Sequence, residues 1–172
     1  MRKILITGIS GVGKSTVINT LKNMGYRAID LDSPAWSVWS ADIITSEEYG
    51  SPVHENEDWI WNELKVEQLL SRNKSQSLIV SGTAENMGKF RNYFDLVILL
   101  SASKAVIKDR LKTRTTNIYG KKEEELNRIL LQKDTIEPLL RQFSDNELNT
   151  ENPLEVTLIQ IERMINSVAG KK

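Results

Sequence analysis

Hydrophobic positions along the chain fall into two patterns. Short solid runs, "ILI" at 4–6, "SLIVS" at 77–81 and "DLVILLS" at 95–101, are apolar at nearly every position. That is how strands buried on both faces of a parallel sheet read. "YRAID" (26–30) is a second strand candidate and "NELNT" (146–150) a weak last one. Between them, apolar residues recur at helical spacing. "KSTVINTLKNMG" reads as a helix ending near Gly25, "DWIWNELKVEQLL" (58–70) as a helix with Asp58 as its N-cap, and "SKAVIKDRLKTR" (103–114) as another. A long helix from about 122 to 143 carries Leu126, Ile129, Leu130, Ile136, Leu140 and Phe143 on one face. A final helix opens with Pro153 near its first position.

Residues 33 to 56 hold two prolines and little periodicity, predicting short helical pieces and loops. "AENMGKFRNYF" reads as a short helix or loop, and "TTNIYGK" (115–121) as a polar, glycine-punctuated break. Strands alternating with helices predict one α/β domain over residues 1–170, its parallel sheet covered on both faces. The functional site then belongs at the carboxyl ends of the strands.

The chain has 172 residues, enough for one domain with a substantial core. Its 23 basic and 23 acidic residues cancel, so nothing calls for a nucleic-acid or membrane-surface partner. Without cysteine there is no disulfide framework and no thiolate metal site. No signal peptide precedes the first strand and no apolar stretch is long enough to span a bilayer, which predicts a cytoplasmic protein. No pattern predicts an oligomeric interface.

Chemistry enters with "GISGVGKST" (8–16), which contains G-x-x-x-x-G-K-S. Placed between a strand and a helix, Gly8, Ser10, Gly11, Val12 and Gly13 let several backbone N–H groups converge on one anion beside a helix N-terminus. Lys14 is then positioned for the β/γ-phosphates of ATP, Ser15 for Mg²⁺, and Thr16 for the α- or β-phosphate. A strict chance match should arise less than about once in a hundred chains of this length.

The end-of-strand rule sorts the carboxylates. Asp95 precedes its strand and is structural, whereas Asp30 and Asp32 in "AIDLDS" follow theirs. Two residues apart in extended chain, their side chains point the same way. One would hold Mg²⁺ through water and the other accept a hydrogen bond or proton from a substrate hydroxyl. Asp30 is assigned to the metal and Asp32 to the acceptor, although the sequence leaves open which lies nearer the ion. Ser81, Gly82 and Thr83 leave the strand at 77–81 at the same end and either approach the reacting centre or form an ordinary turn capped by Thr83. Arg110 and Arg114 share a helical face just before the 115–121 break, where a lid would bring cations to a transferring phosphoryl group.

The order of "GISGVGKST", "AIDLDS", "VSGTAEN", "LLSASKAVIKDRLKTR" and "TIEPLLRQFSDNELNT…PLEV" resembles the shikimate kinase and nucleoside monophosphate kinase group over nearly the whole chain. It looks closest to small ATP-binding proteins of that group. The resemblance implies a three-layer α/β/α P-loop fold with a five-stranded parallel sheet of order 2-3-1-4-5 and a lid after the fourth strand. It also implies that "NELNT…PLEV" is the adenine-side loop, and that Arg110 or Arg114 is the lid arginine.

Shikimate kinases place an arginine two positions before the Pro-Leu pair, where this chain has Ile136. Both kinase types also keep an arginine in the acceptor-binding region. Residues 33 to 71 here have none, and carry Asp42, Glu47, Glu48, Glu55, Glu57, Asp58, Glu63 and Glu67 against the single Lys65. Trp36, Trp39, Trp59 and Trp61 lie in the same stretch. Rings beside carboxylates suit a neutral or cationic acceptor such as a sugar, a nucleoside or an amine, although Lys89 and Arg91 could restore positive charge. His54, the only histidine, sits in a polar loop with no second ligand and reads as a surface residue.

The leading expectation is an ATP- and Mg²⁺-dependent small-molecule kinase. A nucleoside or nucleoside monophosphate kinase is the second reading. A nucleotide-binding switch or slow NTPase is the third, but it would want an acid where the strand beside the P-loop strand ends in Ser81.

Overall fold

The computed structural model describes residues 2–39, 59–72, 76–115 and 119–169. Its centre is a five-stranded parallel sheet built from β1 (Lys3–Thr7), β2 (Arg27–Asp30), β5 (Leu78–Ser81), β6 (Leu96–Ser101) and β7 (Asn146–Asn149), in the order β2-β5-β1-β6-β7. Counting only these sheet strands, that is the 2-3-1-4-5 order. β5 and β6 are buried at every position, as continuous apolar runs require. Helices α1 (Lys14–Asn23), α3 (Lys104–Thr113) and α6 (Leu154–Ala169) follow strands β1, β6 and β7 in the chain. Among the described residues no helix is long and apolar enough to cross a membrane.

Two predicted helices differ in the structure. Trp59–Trp61 is not the first turn of a helix but a short strand, β4, paired antiparallel with β3 (Ser37–Trp39). The triplet Trp-Ile-Trp favours extended backbone, and Trp59 gains a cross-strand partner in Trp39, with ring centroids 5.1 Å apart. Trp61 turns inward, fully buried against Phe90. Asp58 lies outside the described residues. The helix α2 begins at Glu63 instead, capped by Asn62, whose side chain accepts from the Lys65 N–H at 3.1 Å.

The long helix predicted for 122–143 is interrupted. α4 runs Glu123–Thr135 and α5 runs Glu137–Phe143. Pro138 has no N–H to donate to the preceding turn, so the ladder breaks beside it. "AENMGKFRNYF" forms 3₁₀ turns over Glu85–Tyr93. Pro153 sits one residue before α6, where its carbonyl accepts from Val156 and Thr157.

The remaining strands end where the alternation of elements puts them. Asp95 lies at the amino end of the sheet, its carboxylate accepting from the Lys3 N–H at 2.8 Å. At the opposite end the backbone stays tied beyond the paired registers. Leu31 N–H donates to Ser81, Gly82 N–H to Ile6, and Thr150 N–H to Ser101. These bonds tie the loop after β2 to β5, the loop after β5 to β1, and the loop after β7 to β6.

Candidate active site

The phosphate-binding loop leaves β1 at Gly8. There φ is +146°, and a Cβ would lie 2.4 Å from the Leu100 carbonyl oxygen and 2.9 Å from Val12. Only glycine passes so close to β6, which fixes where the loop turns. Lys14 Nζ folds back over the loop, donating to the Gly8 carbonyl at 2.6 Å and the Ile9 carbonyl at 3.3 Å. Its charge faces Asp32 Oδ2 at 3.5 Å, with the lysine side chain 10% exposed and the aspartate 21%.

Both aspartates reach this point, but differently. Asp30 is the last residue of β2, and its carboxylate accepts from the Ser15 hydroxyl at 3.1 Å, the Ser81 hydroxyl at 3.0 Å and the Asp32 N–H at 3.1 Å. Asp32 sits one turn beyond and accepts from the Thr83 N–H at 2.8 Å. Gly82 makes room for it: a Cβ there would meet Asp32 Oδ1 at 2.8 Å and the Trp61 ring at 3.1 Å. Thr83 in turn donates to the Gly8 carbonyl at 2.8 Å, joining the end of β5 to the phosphate loop. Removal from water pushes the Asp32 carboxyl above the usual aspartate range. Lys14 and the Thr83 N–H pull it back, while the neighbouring Asp30 charge adds to the rise.

Ser15 and Asp30 form a pair of hard oxygen donors at the helix N-terminus. Among the described residues no cluster of three or more acidic or histidine side chains gathers into an all-protein metal cage. Magnesium does not need one, since it is held by one or two protein oxygens together with phosphates and waters. The residues present therefore fit Mg²⁺ bound with a nucleotide.

Two cavities open from this centre. The smaller, about 400 Å³, is lined by Ser10, Gly11, Val12, Gly13, Lys14, Ser15 and Thr16, by Arg110 and Arg114 of α3 and its C-cap, and by Thr150, Asn152, Leu154 and Thr157. It brings together the anion cradle, the predicted lid arginines and the segment after β7. Arg110 is held in place, donating to the Thr150 hydroxyl at 2.9 Å, to the Thr150 carbonyl and to the Val12 carbonyl at 3.3 Å. It fastens the segment after β7 to the phosphate loop. Arg114 donates to the Tyr119 carbonyl.

The larger cavity, about 540 Å³, shares Ser10, Lys14 and Asp32 with the smaller one. Its walls are Trp39 and Trp59 of the small antiparallel pair, Thr83, Ala84, Glu85, Met87 and Gly88, Tyr119, and one face of α4 and α5: Arg128, Gln132, Ile136, Leu139, Leu140 and Phe143. Two of the four tryptophans thus line it, while Trp61 belongs to the core and Trp36 packs partly against it. The α5 wall is anchored to β7 through Arg141, which pairs with both Glu147 oxygens at 2.6 and 2.8 Å and with the buried Glu137 at 2.9 Å.

Of the acid-rich stretch, only Glu63 and Glu67 lie among the described residues. Asp42, Glu47, Glu48, Glu55, Glu57 and Asp58 lie outside the described residues, as do His54 and residues 116–118 of the break. Glu63 is exposed and paired with Lys89 at 2.5 Å, Glu67 accepts from Tyr93, and Arg91 pairs with Asp145. None of these lines either cavity. The residues that sequence reasoning missed are Glu85, Arg128 and Gln132. Arg128 and Gln132 were legible in part, since they precede Ile136, Leu139 and Phe143 at intervals of four, four, three and four along one helical stripe.

A family model described as "AAA domain" matches residues 4–131, from the first strand into α4. The chain belongs to that family. Its fold is the P-loop NTPase fold, which several solved kinases share. Shikimate kinase from Acinetobacter baumannii in complex with shikimate superposes with a TM-score of 0.64 at 18% identity, covering 97% of this chain and 94% of that one. A gluconokinase from Sinorhizobium meliloti 1021 gives 0.63 at 20% identity, covering 99% and 97%. Deoxyadenosine kinase from M. mycoides with bound dATP gives 0.55 at 16% identity, covering 95% and 99%. Comparison with curated proteins found no sequence match.

Proposed function

We propose that this protein is a kinase that moves the γ-phosphoryl group of Mg²⁺-ATP to a hydroxyl of a small molecule. The observation that carries the reading is the pair of cavities meeting at Ser10, Lys14 and Asp32. A hydrolase or nucleotide switch needs one pocket and a positioned water. A second chamber, opening on the lysine and an aspartate, suits a second substrate held in line with the first.

In this reading the loop from Gly8 to Thr16 cradles the phosphates, and Lys14 leaves its carbonyl partners to neutralise the β/γ oxygens. Ser15, with Asp30 behind it, would hold Mg²⁺, which supplies charge neutralisation on the phosphate oxygens. Asp32 receives the hydrogen bond of the acceptor hydroxyl and takes its proton as the oxygen–phosphorus bond forms. The electron pair of the breaking bond leaves with ADP. Asp32 is suited to this because burial raises its proton affinity while Thr83 fixes its direction. Arg110 acts as a positioning residue that keeps the segment after β7 against the nucleotide, and Arg114 serves the phosphates from the lid side. Trp39 and Trp59 favour an acceptor with a flat or ring-shaped body.

The test is ADP release from Mg²⁺-ATP with and without a deproteinised metabolite extract, with Lys14→Ala as the blank. Release that requires the extract supports a kinase, and mass spectrometry of the phosphorylated product identifies the acceptor. Release that ignores the extract would assign the protein to the NTPase or switch class.

A further inference from the structure

We propose that Arg128, assisted by Gln132 one turn further along α4, selects the acceptor, and that the acceptor carries an oxyanion, either a carboxylate or a phosphate. The inference rests on the kinase reading above and names the substrate class of that site.

Most cations around the site are already matched. Lys14 faces Asp32, Lys89 pairs with Glu63, Arg91 with Asp145, and Lys133 and Arg141 share Glu137. Arg128 lines the larger cavity, half-buried, and among the described residues its guanidinium has neither a carboxylate nor a hydrogen-bond partner. Its surroundings on that wall are Tyr119 and the apolar side chains that follow on α4 and α5. A guanidinium drawn partly out of water with no anion is unfavourable, and its planar fork matches two oxygens of one oxyanion.

Among the described residues, the cavity's acids do not meet this demand. Asp32 faces Lys14, and Glu85 is exposed at the start of the 3₁₀ turns. Glu137, the buried acid nearest along this helical stretch, is held by Lys133 and Arg141. Gln132 lies four residues from Arg128 on the same face and adds an amide that can donate to the same group.

The experiment uses the full-length protein and γ-labelled ATP. A metabolite extract is split on an anion exchanger into a flow-through, a low-salt step rich in carboxylates and a high-salt step rich in phosphate esters and nucleotides. Label should pass to a component of one bound step and not to the flow-through, and the step that works distinguishes carboxylate from phosphate. With that component purified, Arg128→Met should raise its KM about 10- to 100-fold, while Arg128→Lys recovers part of the loss. Transfer to the flow-through alone would overturn the oxyanion assignment and leave the kinase reading intact. A fall in kcat with acceptor KM unchanged would also overturn it, placing Arg128 on the transferring group. No transfer in any fraction would remove the kinase reading and this inference with it. Arg128→Lys keeps the test decisive if the methionine variant does not fold.

Discussion

Asp32→Asn is the sharpest perturbation of the proposed chemistry, because asparagine is nearly isosteric and its amide oxygen can keep the hydrogen bond from Thr83. What disappears is the charge and the ability to hold a proton. Across the 3.5 Å to Lys14 that charge is worth a gross attraction of about 5 kcal/mol at an effective dielectric of about 20. Its removal frees Lys14 for the phosphates, so nucleotide affinity should hold or rise. Turnover should instead fall about 10²- to 10⁴-fold, the usual contribution of a positioned general base, equivalent to roughly 3–5 kcal/mol of barrier.

Paired measurements, ATP affinity by titration calorimetry and steady-state phosphoryl transfer, separate these effects. In the wild type, Asp32 must be ionised to accept the proton. Its pKa is raised, so kcat/KM should fall as pH drops through a limb lying above the ordinary aspartate value of about 3.9. The asparagine variant should lack that limb. The sign for stability is the reverse. A carboxyl that holds its proton more tightly folded than unfolded opposes folding as pH rises through its folded pKa and beyond. At neutral pH the variant should therefore melt no lower than wild type. Turnover within threefold of wild type would refute Asp32 as the proton acceptor. A more than tenfold loss of ATP affinity would show that it acts by shaping the loop.

Gly82→Ala should push Asp32 aside, since the new Cβ meets Oδ1 at 2.8 Å and Trp61 at 3.1 Å; turnover should fall at least tenfold and stability by about 1–3 kcal/mol, read by kinetics and chemical denaturation. Ser15→Ala should raise the Mg²⁺ concentration needed for half-maximal turnover, and Ser15→Thr should restore it, as a metal titration would show. Glu147, held down to about 2 by Arg141, contributes stability above its unfolded pKa and loses it as pH falls towards 2. Glu147→Gln should cost about 0.5–1 kcal/mol at neutral pH and flatten that acid dependence, followed by thermal melting between pH 2 and 7.

The sequence by itself determined the sheet and the phosphate loop. Solid apolar runs only four to six residues long, rich in Ile, Leu and Val, suit strands buried on both faces, and G-x-x-x-x-G-K-S between a strand and a helix marks the turn of the loop. It also put Asp30, Asp32 and Thr83 at the carboxyl end of the sheet, because that follows from strand direction alone. Local pattern failed where a long-range partner outweighed it. Trp59–Trp61 reads as helix from its neighbours downstream, yet Trp39, twenty residues earlier, draws it into a strand. Pro138 interrupts a stripe whose spacing looks continuous.

The second chamber was decided only by tertiary structure. Charge counted along residues 33 to 71 points to an acidic acceptor region; of its acids, the two among the described residues, Glu63 and Glu67, bond to Lys89 and Tyr93 away from the cavity. Arg128, which lines that cavity together with Lys14, comes from a helix more than fifty residues further along the chain. A linear sequence records which charges exist. Which of them share a cavity depends on helices crossing the sheet end, and packing in three dimensions sets that.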